Sequence, residues 1–276
     1  MEPRFTRWLV RTGTGLALAF LYLPVLVVVL YAFNRSLSQA WPPELFTTRW
    51  FAVAWRDPEV RTALTNSVLA GLGATAVSLV LGSLAAFALH RFRFFGRETI
   101  SLFLVLPIAL PGIVTAIALA SAIDFVRRSG LVEYSLWTII VGHATFCVVV
   151  VYNNVIARLR RTPGSLVEAS MDLGADGWQT FRHVTLPNIR TALLAGGLLA
   201  FGLSFDEIVV TNFTAGPVLT LPIWIFNHLR LPRAGRPVVN VVAMVVILLS
   251  LVPVYLAQRV AGREAAGPGH LGAGRG

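Results

Sequence analysis

Hydrophobic residues fall along this chain in long uninterrupted runs separated by short polar, arginine-bearing stretches. The six longest runs are Leu16–Phe33, Ser67–Leu89, Ile100–Ile123, Ser135–Tyr152, Thr191–Phe213 and Val238–Ala257. A hydrocarbon core of about 30 Å takes about 20 helical residues to cross. Within lipid a single segment satisfies all its backbone groups only as a helix. The pattern therefore predicts an all-α integral membrane protein with six transmembrane helices.

The first run follows Arg4, Arg7 and Arg11, the arrangement of a signal peptide. Its apolar core exceeds the usual 7–15 residues of such a signal, and it ends Tyr31-Ala32-Phe33-Asn34 with no small-residue cleavage site, so it reads as an anchor. The second run places Ala70, Ala74, Ser78, Gly82 and Ala86 four residues apart on one helix face, where small side chains let another helix approach closely. Between the first two runs, Trp41, Trp50 and Trp55 accompany Pro42-Pro43; tryptophan favours the membrane–water boundary, which predicts an interfacial helix in this connection.

Composition sharpens the picture. Of 276 residues, 56% are hydrophobic and 13% charged, with mean hydropathy +0.72; a soluble domain carries about 25% charged residues. The pI near 11.2 raises nucleic acid as a partner, but the basic residues lie between apolar runs and form no basic stripe. All 23 are arginine, and without a lysine the chain lacks the residue that a phosphate-binding P-loop requires. With the N-terminus inside, 14 of the 23 arginines fall on the inner side, which predicts that both termini are cytoplasmic. Cys147 is the sole cysteine, and no Cys/His cluster has metal-ligand spacing; neither a cofactor nor a metal is expected.

The inner connection between runs four and five, residues 157–190, is too long for a turn. Ser165 with Glu168 fits a capping box opening a short helix, Gly174 suits its C-terminal stop, and Asp176 suits the cap of a second short helix through Phe181. Leu186-Pro187 then marks the turn into the fifth span.

The residues Glu168-Ala169-Ser170, Gly174 and Val184-x-Leu186-Pro187 resemble the EAA loop of ABC importer permeases. The family pattern E-A-A-x3-G-x9-I-x-L-P is matched in spacing, with Ser170 in place of the second alanine and Val184 in place of isoleucine. Further resemblance to the spermidine/putrescine-type permeases, and within them to the C-type subunit, lies in Leu203 to Val210, in Phe213-x-x-Gly216, in Leu221-Pro222, in Tyr31-x-Phe33-Asn34-x-Ser36 and in Asn66-Ser67. That resemblance implies a type I importer architecture in which the loop is a cytoplasmic coupling element docking on an ATP-binding cassette subunit dimer. It also implies a second related permease subunit, an extracytoplasmic solute-binding protein and a bacterial inner-membrane location. The implied organisation is a cytoplasmic N-terminus at 1–15, a permease domain at 16–261 and a flexible cytoplasmic tail at 262–276.

Asp206 and Glu207 are the acidic residues inside a predicted span. Each ionised group costs about 2.5–3.5 kcal/mol at membrane depth, so a cavity or a partner is expected to receive it. Sixteen helical residues from Arg190 put Asp206 roughly 24 Å outward, where carboxylates would favour a cationic solute. The pair can equally cap a break in the fifth span, meet an arginine of a companion subunit or sit at the headgroups. Pro107, Pro111 and Gly112 interrupt the third span as either a moving break or a static kink. His143 reads as a hydrogen-bonded packing residue, and His90 and His183 lie at the inner surface. A stand-alone transporter using the carboxylates would leave the inner loop unexplained. A membrane-embedded enzyme would need a nucleophile or metal set that isolated serines, His143 and Cys147 do not supply.

Overall fold

Long apolar segments with few breakers become long helices, and the computed structural model describes residues 4–37, 41–43, 45–110, 112–229 and 236–265 in these terms. In order these are α1 (Arg4–Ala32), α2 (Arg49–Arg56), α3 (Pro58–Arg91), α4 (Arg97–Ala109), α5 (Gly112–Arg127), α6 (Leu136–Arg161), α7 (Ser165–Asp172), α8 (Gly177–Thr180), α9 (Leu186–Phe205), α10 (Val209–Thr214), α11 (Leu221–Leu229) and α12 (Arg236–Ala265). A five-residue π-helical segment, Phe181–Thr185, joins α8 to α9. Among the described residues no strand occurs; one isolated bridge pairs Asn34 with Phe46.

Among the described residues five helices are long and apolar enough to cross a membrane, and a sixth crossing results if α4 and α5 together form one span. The third sequence-predicted span is thus broken: α4 and α5 meet at an angle of 106°. Pro107 lies within the last turn of α4, and Leu110 leaves the helix with an extended ψ of 145°. Gly112 opens α5, while Pro111 lies outside the described residues. α12 continues to Ala265, past the position where the sequence suggests a tail, and residues 266–276 lie outside the described residues.

The chain divides into two units. In the first, Met1–Thr62 with Trp224–Leu248, α1 exposes nearly all of its apolar surface, only 6% of its most apolar window being buried. The connection after it does form a helix, α2, and Trp50 donates its indole N–H to the Asn34 carbonyl at 2.9 Å while Phe33 and Phe51 pack 5.0 Å apart.

The second unit, Ala63–Ile223 with Leu249–Gly276, is organised around α6, whose most apolar window is 67% buried. The stripe on α3 meets its expected role: Ala70, Ala74, Ser78 and Ala86 are buried. At Gly82 a Cβ would come within 2.8 Å of the Val148 carbonyl oxygen and 3.1 Å of the Tyr152 nitrogen, both backbone atoms of α6. On the opposite helix, a Cβ at Gly196 of α9 would stand 3.3 Å from the Val151 Cα. Such backbone approach is how helices associate where no hydrophobic force separates protein from solvent. Gly82→Ala is expected to lower stability by about 1–3 kcal/mol through overpacking. Gly13→Ala, at a position with nothing within 4 Å, should leave the melting temperature in detergent unchanged or higher.

Candidate functional site

The connection from α6 to α9 builds an exposed two-armed element. α7 does not begin with a cap from Ser165, as the sequence suggests: Gly164 already has helical angles (φ −61°, ψ −28°), and no side chain caps this end. The helix starts one residue early because the Pro163 carbonyl already accepts from Leu166 N–H at 3.3 Å, which puts Ser165 inside the first turn. Its far end follows the expectation. Gly174 has φ +84°, its N–H bonds the Met171 carbonyl at 2.9 Å, and Ala175 N–H bonds the Ser170 carbonyl at 3.1 Å. This paired 5→2 and 6→1 closure is a Schellman stop, which requires a left-handed residue.

Asp176 caps α8 reciprocally with Gln179: the Asp176 carboxylate accepts from Gln179 N–H at 2.8 Å, and Asp176 N–H donates to the Gln179 side chain at 3.0 Å. The arms are tied by the Ser170 and Thr180 hydroxyls, 3.1 Å apart. The serine at the alanine position of the family pattern thus has a partner that an alanine would lack.

The second arm is not a separate short helix. From Gly177 to Phe205 the chain is continuously helical, so Leu186-Pro187 lies within the rod and marks no turn. Proline removes one N–H and clashes with the carbonyl four residues back. Here the π-helical segment, closed by Leu186 N–H on the Phe181 carbonyl, widens the turn ahead of Pro187. Phe181 stacks on Trp178 (5.6 Å between centroids) and meets Phe87 of α3 edge-on (5.5 Å). At the α6 end, the Arg158 guanidinium donates to the Asn188 carbonyl at 2.8 Å.

Of the sequence-selected residues here, Glu168, Ala169, Gly174, Leu186 and Pro187 are exposed, and Ser170 and Val184 are half-buried. Beside them the element presents apolar side chains to solvent, Leu173 at 89% and Trp178 at 66% exposure, with Leu166 and Met171 also exposed. The 178/181 aromatic spacing was the available signal for the Trp178–Phe181–Phe87 stack, and periodicity alone does not name Phe87.

At the other end of α9 the fifth span breaks. Phe205 ends α9, Asp206 takes the C-terminal position (φ −100°, ψ 4°), and α10 begins at Val209. The two acids separate in role. One Glu207 carboxylate oxygen accepts from Val209 N–H at 2.7 Å and Val210 N–H at 3.0 Å, so Glu207 caps α10. Asp206 is exposed and makes no ion pair among the described residues.

His143, buried in α6, bridges the break: Nδ1 lies 2.7 Å from the Ser204 hydroxyl and Nε2 2.8 Å from the Thr211 hydroxyl. Thr211 spends its own proton on the Glu207 carbonyl at 2.6 Å. Nε2 therefore carries the imidazole proton and donates to Thr211, while Ser204 donates to Nδ1. His143→Leu would leave hydroxyls on both sides of the break without this partner, and a loss of about 1–3 kcal/mol is expected in thermal unfolding. The loss should be smaller when Ser204→Ala is already present. Among the described residues no group of three or more His, Cys, Asp or Glu could hold a metal.

Residues 78–264 match the family described as binding-protein-dependent transport system inner membrane component. The putrescine transport system permease protein PotI of Escherichia coli (strain K12) is 35% identical over 242 residues, which cover 84% of this chain and 83% of PotI. The spermidine/putrescine transport system permease protein PotC of the same strain is 31% identical over 245 residues, 88% of this chain and 90% of PotC. Among solved structures, a bacterial ABC transporter involved in import of the acidic polysaccharide alginate aligns with TM-score 0.68 at 17% identity, covering 94% of this chain and 96% of that one. The alginate transporter in complex with its pentasaccharide-bound periplasmic protein aligns with the same score. At that identity the likeness shows the fold.

Proposed function

The chain belongs to the binding-protein-dependent transport system inner membrane component family, and from this premise we propose that it forms part of the polyamine path of an ATP-driven importer. It is a multi-pass inner-membrane permease, a transport component whose ATP is hydrolysed on separate subunits. Spermidine or putrescine is the solute favoured by the PotI and PotC relationships. The solute arrives on an extracytoplasmic binding protein, and a second related permease subunit completes the pathway.

The observation that carries the reading is the two-armed element at Gly174. It is exposed, apolar at Leu173 and Trp178, and its second arm is continuous with the helix that ends at Phe205. Such a surface suits docking on an ATPase subunit, with Glu168, Ala169, Ser170, Gly174, Val184, Leu186 and Pro187 as the coupling residues. Both termini are then cytoplasmic, on the same side as this element. Asp206 at the opposite end of the rod offers a carboxylate to a polycation entering from outside.

ATP hydrolysis by the assembled complex in lipid tests this. Stimulation by binding protein loaded with spermidine or putrescine is expected. Stimulation only by another solute would overturn the polyamine assignment. Transport by this chain in vesicles without an ATPase partner would overturn the importer reading altogether.

A further inference from the structure

Where α3 ends and α4 begins, the sequence Arg91-Phe92-Arg93-Phe94-Phe95-Gly96-Arg97 alternates cations with aromatic rings. The rings are turned out: Phe95 is fully exposed, and Phe92 and Phe94 are exposed as well. Gly96, in the left-handed region at φ +83°, turns the chain into α4. Two adjoining hollows open beside this turn. One, of about 250 Å³, is lined by Leu89, Arg97, Glu98, Ser101, Tyr152 and Arg160, and its Ser101 and Tyr152 hydroxyls lie 3.1 Å apart. The other, a groove of about 620 Å³, shares Arg97 and Glu98 and adds Arg93 and a wall that includes Phe94, Phe95 and Phe103.

Arg93, Arg97 and Arg160 have no side-chain hydrogen bond or ion pair among the described residues, so three cations converge here against the single carboxylate of Glu98. A cationic solute is repelled by this set. The exposed phenylalanine rim favours an occupant with apolar parts over a purely aqueous anion, because covering that ring surface removes it from water. A ligand with an anionic head and apolar tails satisfies both requirements at once.

We propose that these hollows bind the phosphate headgroup of an anionic glycerophospholipid, with Arg97 and Arg160 on the phosphate, one proton from the paired Ser101 and Tyr152 hydroxyls donated to it while the other holds the pair together, and the tails along Phe94 and Phe103. Basic pockets between transmembrane helices recognise such headgroups. Arg160 sits in the last turn of α6, immediately before the two-armed element. A bound lipid therefore ties the start of α4 to the root of that element.

The test is native mass spectrometry of the full chain released from detergent with phosphatidylglycerol or phosphatidylcholine added. Phosphatidylglycerol is expected to be retained on the order of tenfold more, and the double variant Arg97→Gln/Arg160→Gln to lose that preference while eluting and melting like wild type. Arg128→Gln, which removes a charge elsewhere, should keep it. Equal retention of the two lipids, an unchanged preference in the double variant, or an equal loss in Arg128→Gln would each overturn the site. Displacement of the lipid by excess inorganic phosphate would overturn it in favour of a soluble anion. Should the double variant weaken only assembly with the ATPase subunits, the surface is a protein contact and the lipid proposal fails.

Discussion

Gly174→Val is expected to cut stimulation of the partner ATPase by loaded binding protein about tenfold, while Gly174→Asn loses no more than about threefold. The reason is backbone conformation, not crowding. Gly174 has φ +84°, yet nothing lies within 4 Å of the Cβ that a larger residue would bring. An L-residue in the left-handed region costs roughly 1–2 kcal/mol, and a β-branched one more. That is enough to open the Schellman closure on Ser170 and Met171 and swing α7 away from α8. A free energy of this size corresponds to about a tenfold loss in any equilibrium that needs the intact turn. Asparagine visits this region more readily, so its loss should stay within about threefold. The comparison is made as ATP hydrolysis in lipid at matched complex assembly. If asparagine fails as completely as valine, the partner requires empty space at this position and the turn geometry is not the determinant.

The second large effect is expected at the break between α9 and α10, where two adjacent acids should respond differently. Asp206→Asn is expected to raise the KM for polyamine transport tenfold or more with an unchanged melting temperature. It removes a charge that no protein cation balances among the described residues. A charge pair at about 4 Å is worth roughly 1–4 kcal/mol between fully aqueous and surface-like surroundings. Glu207→Leu is expected to do the reverse, lowering stability by about 1–3 kcal/mol by leaving two amides at the start of α10 uncapped. Glu207→Gln keeps an acceptor and should fall between. A normal KM in Asp206→Asn would remove this residue from the solute path.

The positions of the apolar helices were legible because membrane solvation imposes one rule on every residue of a span. Length and hydropathy locate one end of each of α1, α3 and α6 and both ends of the membrane part of α12 closely, whereas α1 and α3 start well before, and α6 ends well after, the apolar runs that predict them. Local chemistry was legible wherever one residue type has one strong conformational use. Gly174 at a helix stop and Asp176 at a helix start are of this kind, and both act as their residue types suggest. What the sequence concealed were outcomes decided by competition between neighbours. Ser165 is a good cap, but Pro163 and Gly164 begin the turn first. Pro187 is a good terminator, but a single π-helical segment absorbs it. Asp206 and Glu207 look alike in a sequence, and only the path of the backbone decides which becomes a cap. The short helix α11 follows no long apolar run, and the clamp of Ser204, His143 and Thr211 joins residues up to 68 positions apart, beyond the reach of any local pattern.

The unbroken helix from Gly177 to Phe205 can be considered as a lever. At about 1.5 Å per residue its 29 residues span roughly 43 Å, so a tilt of about 10° at one end carries the other through roughly 7 Å. On the polyamine reading proposed above, that displacement exceeds the width of the extended solute, roughly a few ångströms. No relay of side chains needs to switch along the way. The proline that would ordinarily have put a hinge in the shaft is the residue around which the helix widens, and the breaks in the helical path lie outside it, at Gly174 and at Asp206.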